Sequence, residues 1–209
     1  MRYKFLQCAG FEPSVHGMML SYGKTSFDNF SALYSDVERL AAKLAPMDGG
    51  HNKFLEQIQY WILVQAPLFW WKQFDTYRVG VSKSSESTMH KSWKNGLTHD
   101  MFETPIFPET INNINELITE YNRNDTSEQR KVYLQECIVG NLPDGYLQTR
   151  LVNINAKSLR NMYFQRKDHK LSQWREFCEW IKELPYGMLI TGEKKFDENN
   201  PIFTGKGSK

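Results

Sequence analysis

The sequence predicts an α+β fold in a single domain, and three observations support this prediction. In residues 58–64 every second side chain is apolar, which is the period of a half-buried strand. Residues 146–154 are also predicted to form a strand, with Gln148, Arg150, Val152 and Ile154 on one face and Leu147, Thr149, Leu151 and Asn153 on the other. Elsewhere apolar residues recur at intervals of three and four, which is typical of amphipathic helices. We expect one domain over residues 1–191, followed by a polar, mobile tail over residues 192–209.

Prolines set the element boundaries in the first half of the chain. A helical stripe over residues 28–45 is stopped by Pro46. Pro67 breaks the first strand and suits the first turn of a helix, so residues 68–74 are predicted to form a short helix. Residues 92–108 show little periodicity and are predicted to be a loop.

A glycine and a polar cap set the boundaries in the second half. A helix that begins near Thr126 is predicted to end at Gly140, in the left-handed cap conformation. Asn155 is a good N-cap for a helix that runs to about Arg166. Two further helical stripes lie in residues 111–121 and 171–184.

Composition excludes several classes of protein and site. The 26 Lys and Arg residues against 24 Asp and Glu residues give a net charge of +2, so we expect no stable binding to nucleic acid. The 3 cysteines lack metal-ligand spacing, which favours a reducing compartment and predicts no metal site. No apolar run is long enough to span a bilayer and the N-terminus lacks the apolar core of a signal peptide, so we expect a cytoplasmic protein without a membrane partner.

Positive charge is concentrated in residues 150–175, which carry seven Lys or Arg residues and one acid, Asp168. An anion would bind there. Arg166 follows Leu159 by seven residues and shares its apolar helix face. A guanidinium that points inward needs an anionic partner or a set of acceptors. Alternatively, Arg166 lies at the helix C-terminus and its long side chain reaches solvent. The sequence leaves both interpretations open.

Several other polar residues are candidates for ligand contacts. Glu86, Thr88 and His90 are spaced by two, so they either converge on a ligand or form a solvated loop. His51, beside a pair of glycines, is either a turn histidine or a ligand contact. Aromatic rings stack on heterocycles and arginines bind phosphate, so the aromatic segment 68–77 and the basic helix suit a planar anionic ligand.

Three blocks of the sequence resemble the flavin-dependent thymidylate synthase family. GHNKFLEQIQYWILVQAP, residues 50–67, is similar to the family's Gly-His-x-(Ser/Thr)-Pro-Phe-Glu-His strand entry. KQFDTYRVGVSKSSESTMH, residues 72–90, resembles the signature Arg-Gln-(Trp/His)-x-Arg-His-Arg-x-x-Ser-x-Asn-Glu-x-Ser-x-Arg-Tyr. TRLVNINAKSLRNMYFQRKDHKLSQW, residues 149–174, resembles the block Asn-x-(Arg)-Ser-Leu-x-x-(Phe/Asn)-x-x-x-Arg. The blocks follow one another in the family's order.

The resemblance implies both an architecture and an activity. It implies an antiparallel sheet packed against helices, assembled as a homotetramer with FAD and dUMP bound where subunits meet. The implied reaction is the methylation of dUMP to dTMP, in which methylenetetrahydrofolate gives the one-carbon unit and NADPH reduces the flavin. No cysteine attacks the pyrimidine in that family, so the protein is expected to be an enzyme whose redox chemistry belongs to its cofactor.

The resemblance also implies roles for the matching residues. Arg166, Glu86 and Thr88 would be catalytic, and Arg166 would hold the pyrimidine and favour its polarised, anionic form. The residues expected to bind substrate are Gln73, Arg78, Ser85, His90 and Arg166. The residues expected to contact the flavin cofactor or folate are His51, Arg78, Glu86, Asn155, Lys157, Asn161 and His169.

The chain departs from the family signature at cationic positions. Thr76 and Tyr77 stand at the first arginine and the histidine of Arg-His-Arg, and His90 stands at the late arginine. Val139 replaces an arginine that precedes the family's Leu-Pro turn. Each charge-assisted hydrogen bond lost is worth roughly 1.5–3 kcal/mol. Two alternatives therefore stay open: a flavin enzyme of the same fold that modifies another pyrimidine nucleotide, and a non-catalytic nucleotide-binding descendant.

Overall fold

The computed structural model describes residues 1–29, 37–47, 50–88 and 93–192. Within these ranges the fold is α+β, with one four-stranded antiparallel sheet and eight α-helices. The strands are β1 (Arg2–Ala9), β2 (Gln59–Pro67), β3 (Val81–Ser85) and β4 (Leu147–Asn155), in the spatial order β1-β2-β4-β3. The helices are α1 (Phe11–Leu20), α2 (Val37–Leu44), α3 (Leu68–Phe74), α4 (Pro108–Tyr121), α5 (Glu128–Gly140), α6 (Ala156–Arg166), α7 (Ser172–Ile181) and α8 (Gly187–Thr191).

The chain folds into two compact units, each assembled from separate stretches of sequence. The first unit consists of Met1–Tyr3, Leu63–Thr76 and the described part of Lys83–Leu151. The second consists of the described parts of Lys4–Ile62, Tyr77–Ser82 and Val152–Lys209. No helix among the described residues is both long enough and apolar enough to cross a membrane.

The first unit is built on an apolar cluster between α4 and α5. Ile111, Ile114 and Ile118 are buried along one face of α4, at the helical spacing of three and four. They pack with buried residues of the loop before α4, including Trp93 and Phe102. Asn115 fixes that loop, because its side chain bonds both the amide and the carbonyl of Leu97 over 2.6 and 2.9 Å.

The second unit is built around α6, which packs against α7, α8 and the 3-10 turn Lys53–Glu56. The buried face of α6 carries Leu159, Met162 and Tyr163. Trp174 and Phe177 of α7 are also fully buried. In the same unit the Ala156 amide donates to the carbonyl of Ile58 over 2.9 Å, which ties the start of α6 to the segment before β2.

Most elements predicted from periodicity are confirmed. The helix after Pro67 has the expected bounds, Leu68–Phe74, and the Asn155 side chain caps α6 by accepting the Ser158 amide over 2.8 Å. α2 ends at Leu44, before Pro46, while the first half of the predicted 28–45 helix falls largely outside the described residues. The predicted tail, apart from its first residue, also lies outside them.

Other expectations were wrong or incomplete. Gly140 does not take the left-handed conformation: it is the last residue of α5, and Asn141 caps the helix with φ −102° and an Nδ2 bond to the Cys137 carbonyl of 2.8 Å. Periodicity did not predict β3: residues 81–85 form this strand because they pair with β4. The periodicity also did not predict β1, α1 or α8.

Candidate functional site

In the first unit, β4 holds Glu86 by three hydrogen bonds. The Glu86 amide donates to the Thr149 carbonyl over 2.8 Å, and its Oε2 accepts from the Thr149 amide over 3.2 Å. The Gln148 Nε2 donates to the Glu86 carbonyl over 2.8 Å. The carboxylate itself is exposed. Within the described ranges its Oε1 accepts no hydrogen bond, so one oxygen is available to a ligand while the other is fixed.

Three more predicted residues belong to the first unit. Gln73 is half-buried on α3, and its carbonyl accepts from the Thr76 hydroxyl over 2.7 Å. Ser85 is the exposed last residue of β3. Thr88 is half-buried, and its carbonyl accepts from the Trp93 Nε1 over 2.6 Å. His90, predicted to contact substrate, lies outside the described residues.

A charged cluster of Asp75, Lys83 and Arg150 lies in the same unit. Arg150 Nη1 contacts both carboxylate oxygens of Asp75, over 3.0 and 3.1 Å, and Lys83 forms an ion pair with Oδ1. The Arg150 guanidinium stacks on the Trp71 ring, 4.3 Å from its centroid. Partial burial alone would raise the pKa of Asp75, but the hydrogen bonds and charges of Lys83 and Arg150 outweigh it and lower that pKa. Asp75 therefore stays ionised at neutral pH.

In the second unit, Arg166 is packed among aromatic rings. Its Nε donates to the Tyr77 hydroxyl over 2.8 Å, and the guanidinium lies 4.7 Å from the Trp174 ring centroid and 5.6 Å from that of Tyr77. The Tyr77 hydroxyl in turn donates to Gln165 Oε1 over 2.9 Å. Arg166 is half-buried, so a planar cation with a fixed orientation borders solvent in this unit.

A tight turn places Arg78 beside the start of α6. Gly80 has φ +64°, and its carbonyl accepts from the Asn155 amide over 3.1 Å. The Val79 carbonyl accepts from the Ser158 hydroxyl over 2.6 Å. The Arg78 side chain is exposed and forms no hydrogen bond with any residue that the structure describes. It is therefore available to an anion, whereas Asn155 already serves as a helix cap.

One face of α6 carries two of the predicted cofactor contacts. Lys157, Asn161 and Gln165 are spaced by four and so lie above one another on this face. Lys157 pairs with Glu56 over 2.6 Å, and the pair is largely exposed. Asn161 is exposed. The face ends at Gln165, whose Oε1 accepts from the Tyr77 hydroxyl. The same hydroxyl accepts from Arg166, so Tyr77 links this face of α6 to Arg166.

His51 lines a cavity of about 630 Å³ in the second unit. The volume lies within the range of ligand pockets in proteins, which is roughly 300–1,000 Å³. Its walls combine polar, cationic and aromatic groups, among them Ser14, Tyr22, His51, Lys53, Phe54 and Gln57.

His169 follows α6 and is held in one tautomer. Its Nδ1 accepts from the Leu171 amide over 3.2 Å, so the proton of the neutral ring is on Nε2. Burial lowers the pKa of His169, and the charges of Arg166, Arg175 and Lys170 lower it further. The imidazole is therefore neutral at physiological pH. Among the residues with described placement, no group of three or more His, Cys, Asp or Glu side chains could hold a metal ion.

The structure divides the predicted residues between its units. Gln73, Ser85, Glu86 and Thr88 belong to the first unit, and the others with a described placement belong to the second. Sequence reasoning missed the polar contacts of Asp75, Gln148 and Arg150 around Glu86. A signal existed, because Gln148 and Arg150 share a face of the predicted strand, but nothing in the sequence pairs either residue with Asp75. The sequence analysis considered Tyr77 only as a replacement for the histidine of the family signature and did not predict its hydrogen bonds to Arg166 and Gln165.

Comparison with known proteins gives a family match over most of the chain. The family model described as "Thymidylate synthase complementing protein" (Thy1) matches residues 14–184. No curated protein matches the sequence.

Solved structures share the fold at low sequence identity. A crystal structure of the flavin-dependent thymidylate synthase ThyX from Helicobacter pylori, complexed with FAD and dUMP, is similar with a TM-score of 0.68 and 14% identity, covering 93% of this chain and 100% of that chain. A second structure of ThyX from that organism gives a TM-score of 0.66 and 13% identity, over 90% of this chain and 96% of that one. The UMP/dUMP methylase PolB from Streptomyces cacaoi, bound with 5-Br dUMP, gives 0.59 and 13%, over 87% of this chain and 88% of that one. At these identities the likeness is one of fold.

Proposed function

The chain belongs to the family of thymidylate synthase complementing proteins, and from this membership we propose that it catalyses the flavin-dependent methylation of dUMP to dTMP. FAD would be the cofactor, with methylenetetrahydrofolate and NADPH as co-substrates. The bound flavin would supply the redox chemistry of the transfer. The chain's own residues would bind the nucleotide, orient it and stabilise its charge.

The main support for this proposal is the way in which Tyr77 and Trp174 hold the Arg166 guanidinium. A uracil ring that gains negative charge needs a cation whose position is fixed before the reaction, because a preorganised charge stabilises a transition state without reorganisation. The Tyr77 hydroxyl holds Arg166 Nε over 2.8 Å, and the Trp174 ring lies 4.7 Å from the guanidinium. These contacts favour the role proposed for Arg166, which is to hold the pyrimidine in its anionic form.

The residues of the second unit fit a flavin cofactor in their chemistry. FAD presents phosphates, hydroxyls and a planar ring, so its site needs cations, amide groups and aromatic or imidazole surfaces. Arg78 is an exposed cation without a partner among the described residues, and Asn161 is an exposed amide on α6. His51 offers an imidazole at a cavity large enough for part of such a ligand. We therefore propose Arg78, His51, Asn155, Lys157, Asn161 and His169 as contacts of the flavin or folate.

In the first unit we propose that Glu86 and Thr88 act at the nucleotide, with Gln73 and Ser85 as substrate contacts. The Oε1 of Glu86, which accepts no hydrogen bond from any residue with a described placement, suits this role. Two cysteines are poor candidates for a nucleophile: burial raises the pKa of Cys8 to about 11 and that of Cys178 to about 12. Both thiols stay protonated at neutral pH, which agrees with a reaction that uses no cysteine thiolate.

A second candidate is the modification of another pyrimidine nucleotide such as UMP. Two signature positions have lost their cation or histidine, since Thr76 bonds the Gln73 carbonyl and Tyr77 bonds Gln165 and Arg166. The structural likeness to a UMP/dUMP methylase is in keeping with this alternative. We further propose a homotetramer located in the cytoplasm.

The first experiment is a titration of the purified full chain with FAD. The proposal expects a bound flavin with its absorption band, and then release of an isotope label from carbon 5 of dUMP when methylenetetrahydrofolate and NADPH are present. Release from UMP but not from dUMP would favour the second candidate. A protein that binds nucleotide but remains colourless in excess FAD would contradict both enzymes and favour a non-catalytic binding protein.

Two variants test the role of Arg166. Arg166→Ala should abolish nucleotide binding, whereas Lys167→Ala removes the neighbouring, exposed cation of the same segment and should not. Calorimetric titration with dUMP measures both. Full affinity in Arg166→Ala would refute the role, and equal losses in the two variants would show that only the local charge matters.

A further inference from the structure

Glu86, the residue directly after β3, is held by both backbone and side-chain hydrogen bonds. Its amide and carboxylate bond the backbone of Thr149, but its carbonyl accepts from a side chain, the Nε2 of Gln148. Gln148 is 7% exposed, so a loss of one of its hydrogen bonds would leave a polar group buried without a partner. A shift of the Gln148 side chain would therefore also shift the backbone of Glu86.

Gln148 is itself fixed from both ends. Its Oε1 accepts from the Arg150 Nε over 2.9 Å, and its carbonyl accepts from the Trp71 Nε1 over 3.0 Å. Arg150 then bonds both oxygens of Asp75. A continuous chain of hydrogen bonds thus runs from Asp75 through Arg150 and Gln148 to the carbonyl of Glu86.

The chain of bonds starts from a rigid element. Trp71 and Asp75 are four residues apart, so they lie on the same face of α3, and Asp75 caps that helix with its amide bonded to the Trp71 carbonyl over 2.8 Å. The Trp71 ring supports the Arg150 guanidinium at 4.3 Å. This helix face therefore holds the Arg150 side chain, through the Trp71 ring and Asp75, and the Gln148 backbone carbonyl, through the Trp71 Nε1.

We propose that Asp75 is a positioning residue for Glu86, acting through Arg150 and Gln148, in the nucleotide-modifying reaction. The catalytic role of Glu86 in this inference rests on the proposed function, whereas the hydrogen bonds from Asp75 to Glu86 do not depend on it. Replacing a partly buried ion pair by apolar residues is often neutral for stability, so such a pair is weak evidence of a purely stabilising role. A hydrogen-bonded support that fixes a side chain within a fraction of an ångström has a large effect on rate.

Asp75→Asn tests the inference because it keeps the shape of the side chain and removes its charge. The matched control is Asp144→Asn, which removes an ion pair of 2.7 Å between Asp144 and Lys72 of the same helix α3. That pair is exposed on both sides and has no hydrogen bond to Glu86.

The first measurement does not depend on activity. Amide hydrogen exchange of the full chain should show faster exchange of the Glu86 amide in Asp75→Asn by about tenfold, because the segment directly after β3 then opens more often. Asp144→Asn should leave that amide unchanged. Gln148→Met, which removes the last bond of the chain at similar volume, should reproduce the effect even if Asp75→Asn folds poorly. Unchanged exchange at Glu86 in the folded variants would overturn the inference, whether or not the protein is an enzyme.

The second measurement is a double-mutant cycle on turnover of the nucleotide. Asp75→Asn should lower kcat about tenfold or more in the wild-type background and have little further effect in a Glu86→Gln background, because the carboxylate that the support positions is then absent. Asp144→Asn should leave kcat unchanged. Equal effects of Asp75→Asn in both backgrounds would mean a general structural role and overturn the inference. If the wild-type protein turns over no nucleotide, the proposed function fails, and the exchange measurement still decides the positioning.

Discussion

Gly80→Ala is expected to destabilise the protein by two separable effects. Gly80 has φ +64°, and a Cβ built on it would lie 2.0 Å from the Asn155 Nδ2. An L-residue in the left-handed region costs roughly 1–2 kcal/mol. Displacing Asn155 also removes the cap of α6, which is worth about 0.5–2 kcal/mol. The sum is a loss of roughly 1.5–4 kcal/mol in the free energy of unfolding.

Gly23 provides the matched control. Its φ is +65°, nearly that of Gly80, but a Cβ built on it would meet no atom within 4 Å. Gly23→Ala should therefore cost only the backbone strain. Urea titrations of the full chain, followed by tryptophan fluorescence and circular dichroism, give both free energies. The difference between the variants measures the clash with the helix cap.

A third variant separates the two effects further. In an Asn155→Ala background the clash is relieved, so Gly80→Ala should cost no more there than Gly23→Ala does in the wild type. Equal losses for Gly80→Ala and Gly23→Ala in the wild-type background would refute the argument. Close packing of the Gly80 turn against the Asn155 cap would then not contribute to stability, and the position of Arg78 would have another cause.

Three further outcomes follow from single contacts. Tyr77→Phe removes the hydroxyl that accepts from Arg166, so the free energy of unfolding should fall by about 1 kcal/mol, and an unchanged urea midpoint would argue against this bond. Glu56→Gln breaks the exposed pair with Lys157 and should cost less than about 1 kcal/mol, so a loss of twice that size would reveal a larger role. An NMR titration should give His169 a pKa below the ordinary histidine value of 6.5, and Arg166→Gln should raise that pKa. Because the pKa of His169 is lower in the folded protein than in the unfolded chain, the contribution of this histidine to stability is complete above about pH 6.5 and declines as the pH falls below that value.

The fold elements that the sequence predicted have local causes. Pro67 begins α3 and Asn155 caps α6, and both signals act within one helical turn. β3 has no such signal: its residues are mostly polar, and it is a strand because β4 offers it a hydrogen-bonding edge. β1 is mostly exposed, and its polar and apolar side chains alternate only from Arg2 to Phe5 before Leu6 interrupts the period, so periodicity did not identify it. Elements that depend on a distant partner cannot be predicted from a short window of sequence.

The candidate site shows the same division between local and distant causes. Glu86 and Arg166 were predicted as site residues from a resemblance that depends on short motifs, and the structure shows which groups hold their side chains. Asp75 and Arg150 are 75 residues apart in sequence, so neither composition nor spacing pairs them. Charge counting along the chain also could not show that one cation of the basic segment, Arg150, is paired with Asp75.

The departures from the family signature are explained by what the replacing side chains bind. Thr76 donates to the Gln73 carbonyl at the end of α3, and Tyr77 accepts from Arg166 and donates to Gln165. Both residues therefore support neighbouring groups and bring no charge of their own. A family member with arginine and histidine at these positions has more positive charge for a phosphate. In the proposed reaction this chain depends more on the orientation of Arg166 and less on the number of its cations. Its affinity for dUMP, measured by calorimetric titration at increasing salt concentration, should therefore vary less than that of a relative with the full signature.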